Sequence, residues 1–347
     1  MPLGGREGLG NEMFAWGKAY IASRALDLTL LPPAFGPNPR GYWRYFRKSR
    51  FDWVVHRGLR AALPKIVFTE AEFRKREELG FAGALQAFAK ENRLYRRQPF
   101  LLCLEGMWGG FQAVNPARDY LLSQLLSARW TLSNLFALDQ RLPIGSLTIG
   151  FHIRRGDFRT EPHRELCGKW NCAIPLDWYV AIARNLRRQF GSCVTFLVIS
   201  DASNECLAPF GSEISCLFTS DQHNRDISDL LALARCDLIV CSVSSYSMWA
   251  AFFSCGRYVW LAPHLTVQDK FASIWGHERA QQLPHGQTIQ ARETVEALAR
   301  AGQTITAKGV PVGWDGVLSD ELLRWLEQRM SLRRRETDLL RYGVVSQ

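Results

Sequence analysis

No stretch of the 347 residues is apolar for long enough to cross a bilayer as a helix, and the amino end lacks the pattern of a secretory leader. These absences set the expectation of a cytoplasmic protein with at most peripheral membrane contact. No segment repeats at a fixed period and no tract is compositionally biased, which excludes solenoids and low-complexity linkers. Acidic residues are in short supply, 33 Asp and Glu against 43 Lys and Arg, for a net charge of +10. Such an excess suits nucleic acid, a membrane surface or an anionic small ligand, so its distribution decides. It is diffuse, apart from residues 40–60 and the arginines at 333–335, and a nucleic-acid partner is not expected. In the first concentration basic residues interleave with Tyr42, Trp43, Tyr45, Phe46, Phe51 and Trp53, which predicts an amphipathic helix with a solvated basic face. Cysteine is neither absent nor even in number: nine are present, most inside apolar runs such as residues 101–104 and 238–241. That usage predicts reduced, buried thiols rather than a disulfide framework. Cys167 and Cys172 have no second close pair with nearby histidines, so no zinc site is expected.

What is present is ordinary for a soluble enzyme: 47% hydrophobic and 22% charged residues, in a chain long enough for two domains. The chain is organised around residues 147–157, L-T-I-G-F-H-I-R-R-G-D. The first half is apolar and β-branched, as a buried strand is; the second half carries His152, Arg154, Arg155 and Asp157 around one glycine. Ligands of open α/β sheets bind at the carboxyl ends of strands. Two adjacent arginines there form a receptor for an anion such as a diphosphate, because guanidinium stays charged and offers forked donors. The alternative is that both arginines only pair with carboxylates at a domain junction.

Gly4, Gly5, Gly8 and Gly10 precede Asn11 and a run, residues 13–28, with helical spacing. A glycine-rich turn thus opens a helix, where exposed amides favour anions. Residues 69–97 and 115–137 read as helices, and 100–104 as a strand ending in E-G-M-W-G-G, a sequence suited either to lining a sugar site or to a plain loop around a core tryptophan. Pro143-Ile144-Gly145 marks the expected boundary between domains 1–145 and 146–347. Beyond the central stretch, residues 176–190 read as a helix and 194–200 as a strand ending on Asp201. Residues 226–235 read as a helix, 238–241 as a strand, and Ser242-Val243-Ser244-Ser245-Tyr246-Ser247 as a second anion-binding turn or a helix cap. Residues 258–261 complete the alternation and 319–341 form a closing helix.

Four separated stretches carry a resemblance. G-L-G-N-E-M-F at 8–14 resembles the amino-terminal signature of bacterial α-1,2-fucosyltransferases, usually G-G-L-G-N-Q-M-F, with Glu12 in place of glutamine. A hydrophobic strand ordinarily precedes that turn, and so little stands before it here that whether the chain begins at its natural start is left open. H-I-R-R-G-D at 152–157 resembles the first motif shared by α-1,2-, α-1,6- and protein O-fucosyltransferases, and I-S-D-A at 199–202 resembles their F-S-D-D. D-I-S-D-L-L-A-L-A-R-C-D-L-I-V-C-S-V-S-S-Y-S-M-W-A-A at 226–251 is similar to the bacterial α-1,2 pattern ending S-N-S-S-F-S-W-W-A-A. Residues 32–145 and those after 263 are unmatched.

The resemblance implies an α/β fold of the GT-B type, two Rossmann-like domains with parallel sheets facing a cleft. It implies inverting, metal-independent transfer of L-fucose from GDP-fucose to a glycan or small-molecule hydroxyl, with no cofactor. Consistent with that, the sequence contains no D-x-D to bridge a diphosphate through a metal. By position, Arg154 matches the phosphate-binding arginine, with His152, Arg155 and Asp157 shaping its loop. Asp201, Ser244, Ser245 and Ser247 match nucleotide-holding positions, and Gly8, Gly10 and Asn11 would approach the transferred sugar. Glu12, Asp157 and Glu161 are the candidates for general base. The competing readings are a transferase of the same fold using another nucleotide sugar, and a non-catalytic nucleotide- or glycan-binding protein.

Overall fold

The computed structural model describes residues 1–2, 8–33, 35, 41–46, 50–96, 99–108, 110–160, 171–254, 256–261, 267–268, 271–272 and 309–333. Two compact units divide the chain, Met1–Arg129 and Trp130–Gln347.

The first unit contains α1 (Leu9–Ala25), α2 (Trp43–Phe46), α3 (Arg50–Ala62), β1 (Lys65–Phe68), α4 (Glu70–Arg74), α5 (Gly80–Glu91), β2 (Leu101–Leu104), α6 (Gly110–Val114) and α7 (Arg118–Leu126). β1 and β2 pair in parallel. Met1 and Pro2 lie beside β2, the Met1 amino group donating to the Leu102 carbonyl at 2.6 Å and the Leu104 amide to the Met1 carbonyl at 3.0 Å. The pairing expected of a strand before the glycine turn is thus made by two residues. α1 is buried on most of its surface, from Leu9 through Ala22, because its residues are apolar nearly all round. Trp16 meets Phe35, Phe46 and Tyr120 edge-on, and Phe14 meets Phe111.

The second unit contains α8 (Thr131–Asp139), β3 (Leu147–Ile153), β4 (Arg159–Thr160), β5 (Cys172–Ala173), α9 (Leu176–Phe190), β6 (Val194–Ser200), α10 (Asn204–Glu213), β7 (Leu217–Phe218), α11 (Asp226–Ala234), β8 (Leu238–Val240), α12 (Ser245–Phe253), β9 (Arg257–Leu261), β10 (Val267–Gln268), β11 (Phe271–Ala272), β12 (Gly309–Val312) and α13 (Asp320–Arg333). Six strands form one sheet in the order β12-β9-β8-β3-β6-β7, every neighbouring pair parallel. The expected α/β class with parallel sheets is the observed one. A purely parallel sheet is covered on both faces, which is why β3 is buried at all seven positions. Gly150 sits at its centre, where a Cβ would stand 2.6 Å from Leu233 Cδ1 and 2.7 Å from Cys236 Sγ. Glycine there lets α11 close onto the sheet.

Two helix expectations are corrected. Residues 69–97 do not form one helix: the chain turns between α4 and α5 at Gly80, whose φ of +67° is open to glycine without strain. Residues 115–137 break at Trp130, φ +68°, into α7 and α8. The second compact unit begins at that break, and α8 is tied into it. Asn134 Nδ2 donates to the His223 carbonyl at 3.1 Å and to Ser228 Oγ at 3.1 Å, and Arg235 pairs with Asp139. Along residues 43–62, Arg44 and Arg57 are exposed as expected of a basic face, but so are Val54, Val55 and Leu59, while His56 and Arg60 are half-buried.

Candidate active site

The carboxyl end of β3 delivers the arginine loop. Arg154 lies between two carboxylates, Nη2 donating to Asp157 Oδ1 at 2.6 Å and Nη1 reaching Asp201 Oδ2 at 2.7 Å. Asp201, at the end of the adjacent β6, also accepts from the Arg155 amide at 2.8 Å through its other oxygen. One carboxylate therefore fixes both the guanidinium and the backbone that follows it. Gly156 is required beside this clasp, since a Cβ there would stand 2.4 Å from Asp201 Oδ2. Two contacts leave the remainder of the five guanidinium N–H donors of Arg154 for a ligand. Arg155 differs: its Nε is buried without a hydrogen-bond partner, and no ion pair engages it among the described residues.

His152, the last buried polar residue of β3, is locked from behind. Its Nδ1 lies 2.5 Å from Ser247 Oγ and 2.8 Å from Ser242 Oγ, and its carbonyl accepts from the Tyr179 hydroxyl at 3.3 Å. Burial, with the Arg154 charge adding to it, pushes the imidazole down to about 3, so the ring is neutral. His152 and Ser247 are thus a buried tie between β3 and α12. Ser244 caps α12, its hydroxyl accepting from the Ser247 amide, while Ser244, Ser245 and Tyr246 remain partly exposed at that helix's amino end.

A second polar cluster adjoins the end of β6. Arg225 donates to Asp229 Oδ2 and to Thr219 Oγ1, each at 2.8 Å, and to the Ser200 carbonyl at 3.0 Å; Thr219 also donates to Asp229 at 3.1 Å. Burial drives the Asp229 carboxyl up to about 7 against the pull of Arg225. Sequence reasoning passed over these residues. The signal available was the four-residue spacing of Arg225 and Asp229, ordinary on a helix surface and informative only once Asp229 is known to be buried.

In the first unit a cavity of about 780 Å³ is lined by Asn11, Glu12, Thr69, Glu70, Glu105 and Trp108, among others. Helix α1 begins at Leu9 with Gly8 as its cap, so Gly10, Asn11 and Glu12 form its first turn instead of a turn ahead of it. That brings Asn11 and the buried Glu12 to the cavity wall. Trp108 is half-buried and packs among other side chains as well as lining the cavity. Phe73 stacks on its ring at 5.5 Å, and Lys18 Nζ lies 3.5 Å over it while donating to the carbonyls of Glu105 and Trp108. Burial lowers the Lys18 ammonium to about 7. Glu161 lies outside the described residues, as do Gly4, Gly5 and Cys167. Arg154, Arg155, Asp157, Asp201, His152 and the serine turn share the second unit; Gly8, Gly10, Asn11 and Glu12 share the first.

Comparison with known proteins bears on this site. Residues 115–285 match the model of glycosyl transferase family 11. Galactoside α-(1,2)-fucosyltransferase 1 of Saimiri sciureus is 26% identical over 135 residues, 38% of this chain and 36% of that protein. The same enzyme of Leontocebus fuscicollis is 25% identical over the same shares. The alignment spans about a third of the length of these curated relatives. Among solved structures, the α-1,6-fucosyltransferase NodZ soaked with GDP-fucose aligns over 71% of this chain and 89% of its own, at 14% identity and a TM-score of 0.41. POFUT1 in complex with GDP-fucose aligns over 72% and 91%, at 15% identity and a TM-score of 0.40. The segment similar to glycosyl transferase family 11, residues 115–285, holds the arginine loop, Asp201 and the serine turn.

Proposed function

We propose that the protein is an inverting fucosyltransferase of the GT-B type that moves L-fucose from GDP-fucose to a hydroxyl of a glycan or glycoconjugate, without a metal ion. The observation that carries this reading is the family match over the segment in which two carboxylates orient Arg154 at a strand end. Charge on the departing diphosphate grows as the sugar bond breaks, and a pre-oriented guanidinium stabilises it without reorganising. Arg155 and the amino end of α12 supply further positive potential to the same anion. Neutral His152 adds no charge; it holds β3 against α12 so that the two donors keep their spacing. The acceptor hydroxyl attacks the anomeric carbon from the face opposite the diphosphate, and a carboxylate takes its proton late. Glu12 is the proposed base, supported by its place at the wall of the first unit's cavity.

The test is hydrolysis and transfer with a panel of nucleotide sugars in excess chelator. Turnover of GDP-fucose above the others, undiminished by chelator, is expected. Preference for another nucleotide sugar replaces the donor, GDP binding without turnover of any donor replaces the enzyme by a binding protein, and loss of activity restored by manganese or magnesium refutes the substitution of arginine for metal.

A further inference from the structure

Helix α3 carries three apolar side chains outward. Val54 is 60% exposed, Val55 41% and Leu59 37%, and Trp43 of the neighbouring α2 is 43% exposed. At the angular step of an α-helix these three residues, with exposed Gly58 and Ala62 between them, occupy an arc of roughly 140°. His56 and Arg60 fall on the other side and are half-buried, with Arg60 donating to the Pro32 carbonyl. A helix that had only to pack on its own unit would carry the reverse arrangement, polar out and apolar in. The apolar face is embedded in a strongly basic segment: Arg40, Arg44, Arg47, Lys48, Arg50, Arg57 and Arg60 stand against Asp52 alone over residues 40–60. Exposed apolar side chains on a helix set in excess positive charge are the features by which a helix lies in the plane of a bilayer interface.

We propose that α3 docks the first unit onto an anionic lipid surface, with Val54, Val55 and Leu59 entering the boundary between head groups and acyl chains. The exposed Arg44 and Arg57 meet the phosphate head groups, and the net positive charge of the segment adds to the attraction. Charge complementarity selects this occupant over a second copy of the chain, because two such faces would bring like charges together. A helix of 13 residues, about 20 Å long, lies along such an interface and is too short to span it. This inference does not depend on the donor or the reaction.

The experiment is flotation of the full chain with vesicles of phosphatidylglycerol mixed into phosphatidylcholine, against phosphatidylcholine alone, at low and high salt. The wild type floats with the anionic vesicles, stays behind with the neutral ones and is released by salt. The double variant Val54→Asp/Leu59→Asp, at exposed positions, loses at least about tenfold in partitioning while keeping the wild-type circular dichroism melt. The conservative pair Val54→Leu/Leu59→Ile floats as the wild type does, which excludes a defect of mere substitution. Failure of the wild type to float, or equal flotation of the aspartate variant, overturns the proposal. A dimer in sedimentation velocity that the aspartate variant dissociates, without vesicle binding, assigns the face to a second copy instead.

Discussion

Arg154 is held by two carboxylates from different elements, Asp157 on its own loop and Asp201 on β6, so its removal does more than delete a donor. It leaves two acids facing the place where an anion is to bind. Asp157, named as a possible base from sequence, is occupied in this clasp, whereas Glu12, another of the candidates, lines the first unit's cavity beside Glu70 and Glu105. If Glu12 takes the acceptor proton, Glu12→Gln lowers transfer by about 10²- to 10⁴-fold while GDP affinity, measured by calorimetry, stays unchanged. Near-normal transfer by that variant reduces Glu12 to positioning. The chemistry of the arginine loop was legible in the sequence because charge gathers abruptly after an apolar run. What could not be read was the division of labour, since only the fold shows that Asp201 reaches both Arg154 and the Arg155 amide. His152 illustrates the same limit: the resemblance gave it a part in shaping the arginine loop, and only the fold shows that it does so with Nδ1 turned toward two buried serines.

At the scale of elements, β3 is tied to α12 by His152 and to α11 by the space at Gly150. The imidazole is depressed to about 3 from 6.5, so the unfolded chain binds more protons between those values. Stability from this group is therefore complete above about pH 6.5 and declines as pH falls toward about pH 3. His152→Gln keeps an amide in the pocket but cannot titrate, so the gap between wild-type and variant urea midpoints narrows on acidification. A gap constant with pH contradicts the buried neutral assignment. Gly150→Ala places a Cβ 2.6 Å from Leu233 Cδ1, and the displaced α11 costs about 1–3 kcal/mol, read from thermal or denaturant unfolding. No loss of stability shows that α11 yields freely. Strands β3 and β6 and helices α9 and α11 were legible to within a residue or two because parallel strands read as continuous apolar runs and helices by their period. The short strands β7 and β12 and the helix α10 were not, as two to four residues carry no period and α10 contains Gly211 and Pro209. The breaks at Gly80 and Trp130 escaped because local helical spacing continues on either side of a residue that tertiary packing holds at positive φ.

For the whole molecule, the division at Arg129–Trp130 assigns the arginine loop and the serine turn to one compact unit and the cavity with Glu12 to the other. The two sets of residues were located in the sequence, while the ties of α8 to the second unit, which place it with that unit, are invisible before folding. The proposed reaction takes its leaving-group stabilisation from the arginine loop and its base from Glu12. Its central claim is that the oriented guanidinium of Arg154 does the work of stabilising the departing diphosphate. The direct measurement is the GDP-fucose turnover of Arg154→Ala beside its GDP affinity, with Arg154→Lys and Arg155→Ala as companions. Since charge on the leaving oxygen grows toward the transition state, turnover falls by at least about 10²- to 10³-fold and by more than binding. Lysine rescues little because it keeps the charge and loses the fork, and Arg155→Ala is affected less. Near-wild-type turnover by a correctly folded Arg154→Ala contradicts the account, and inactivity of Arg155→Ala alone exchanges the roles of the two arginines.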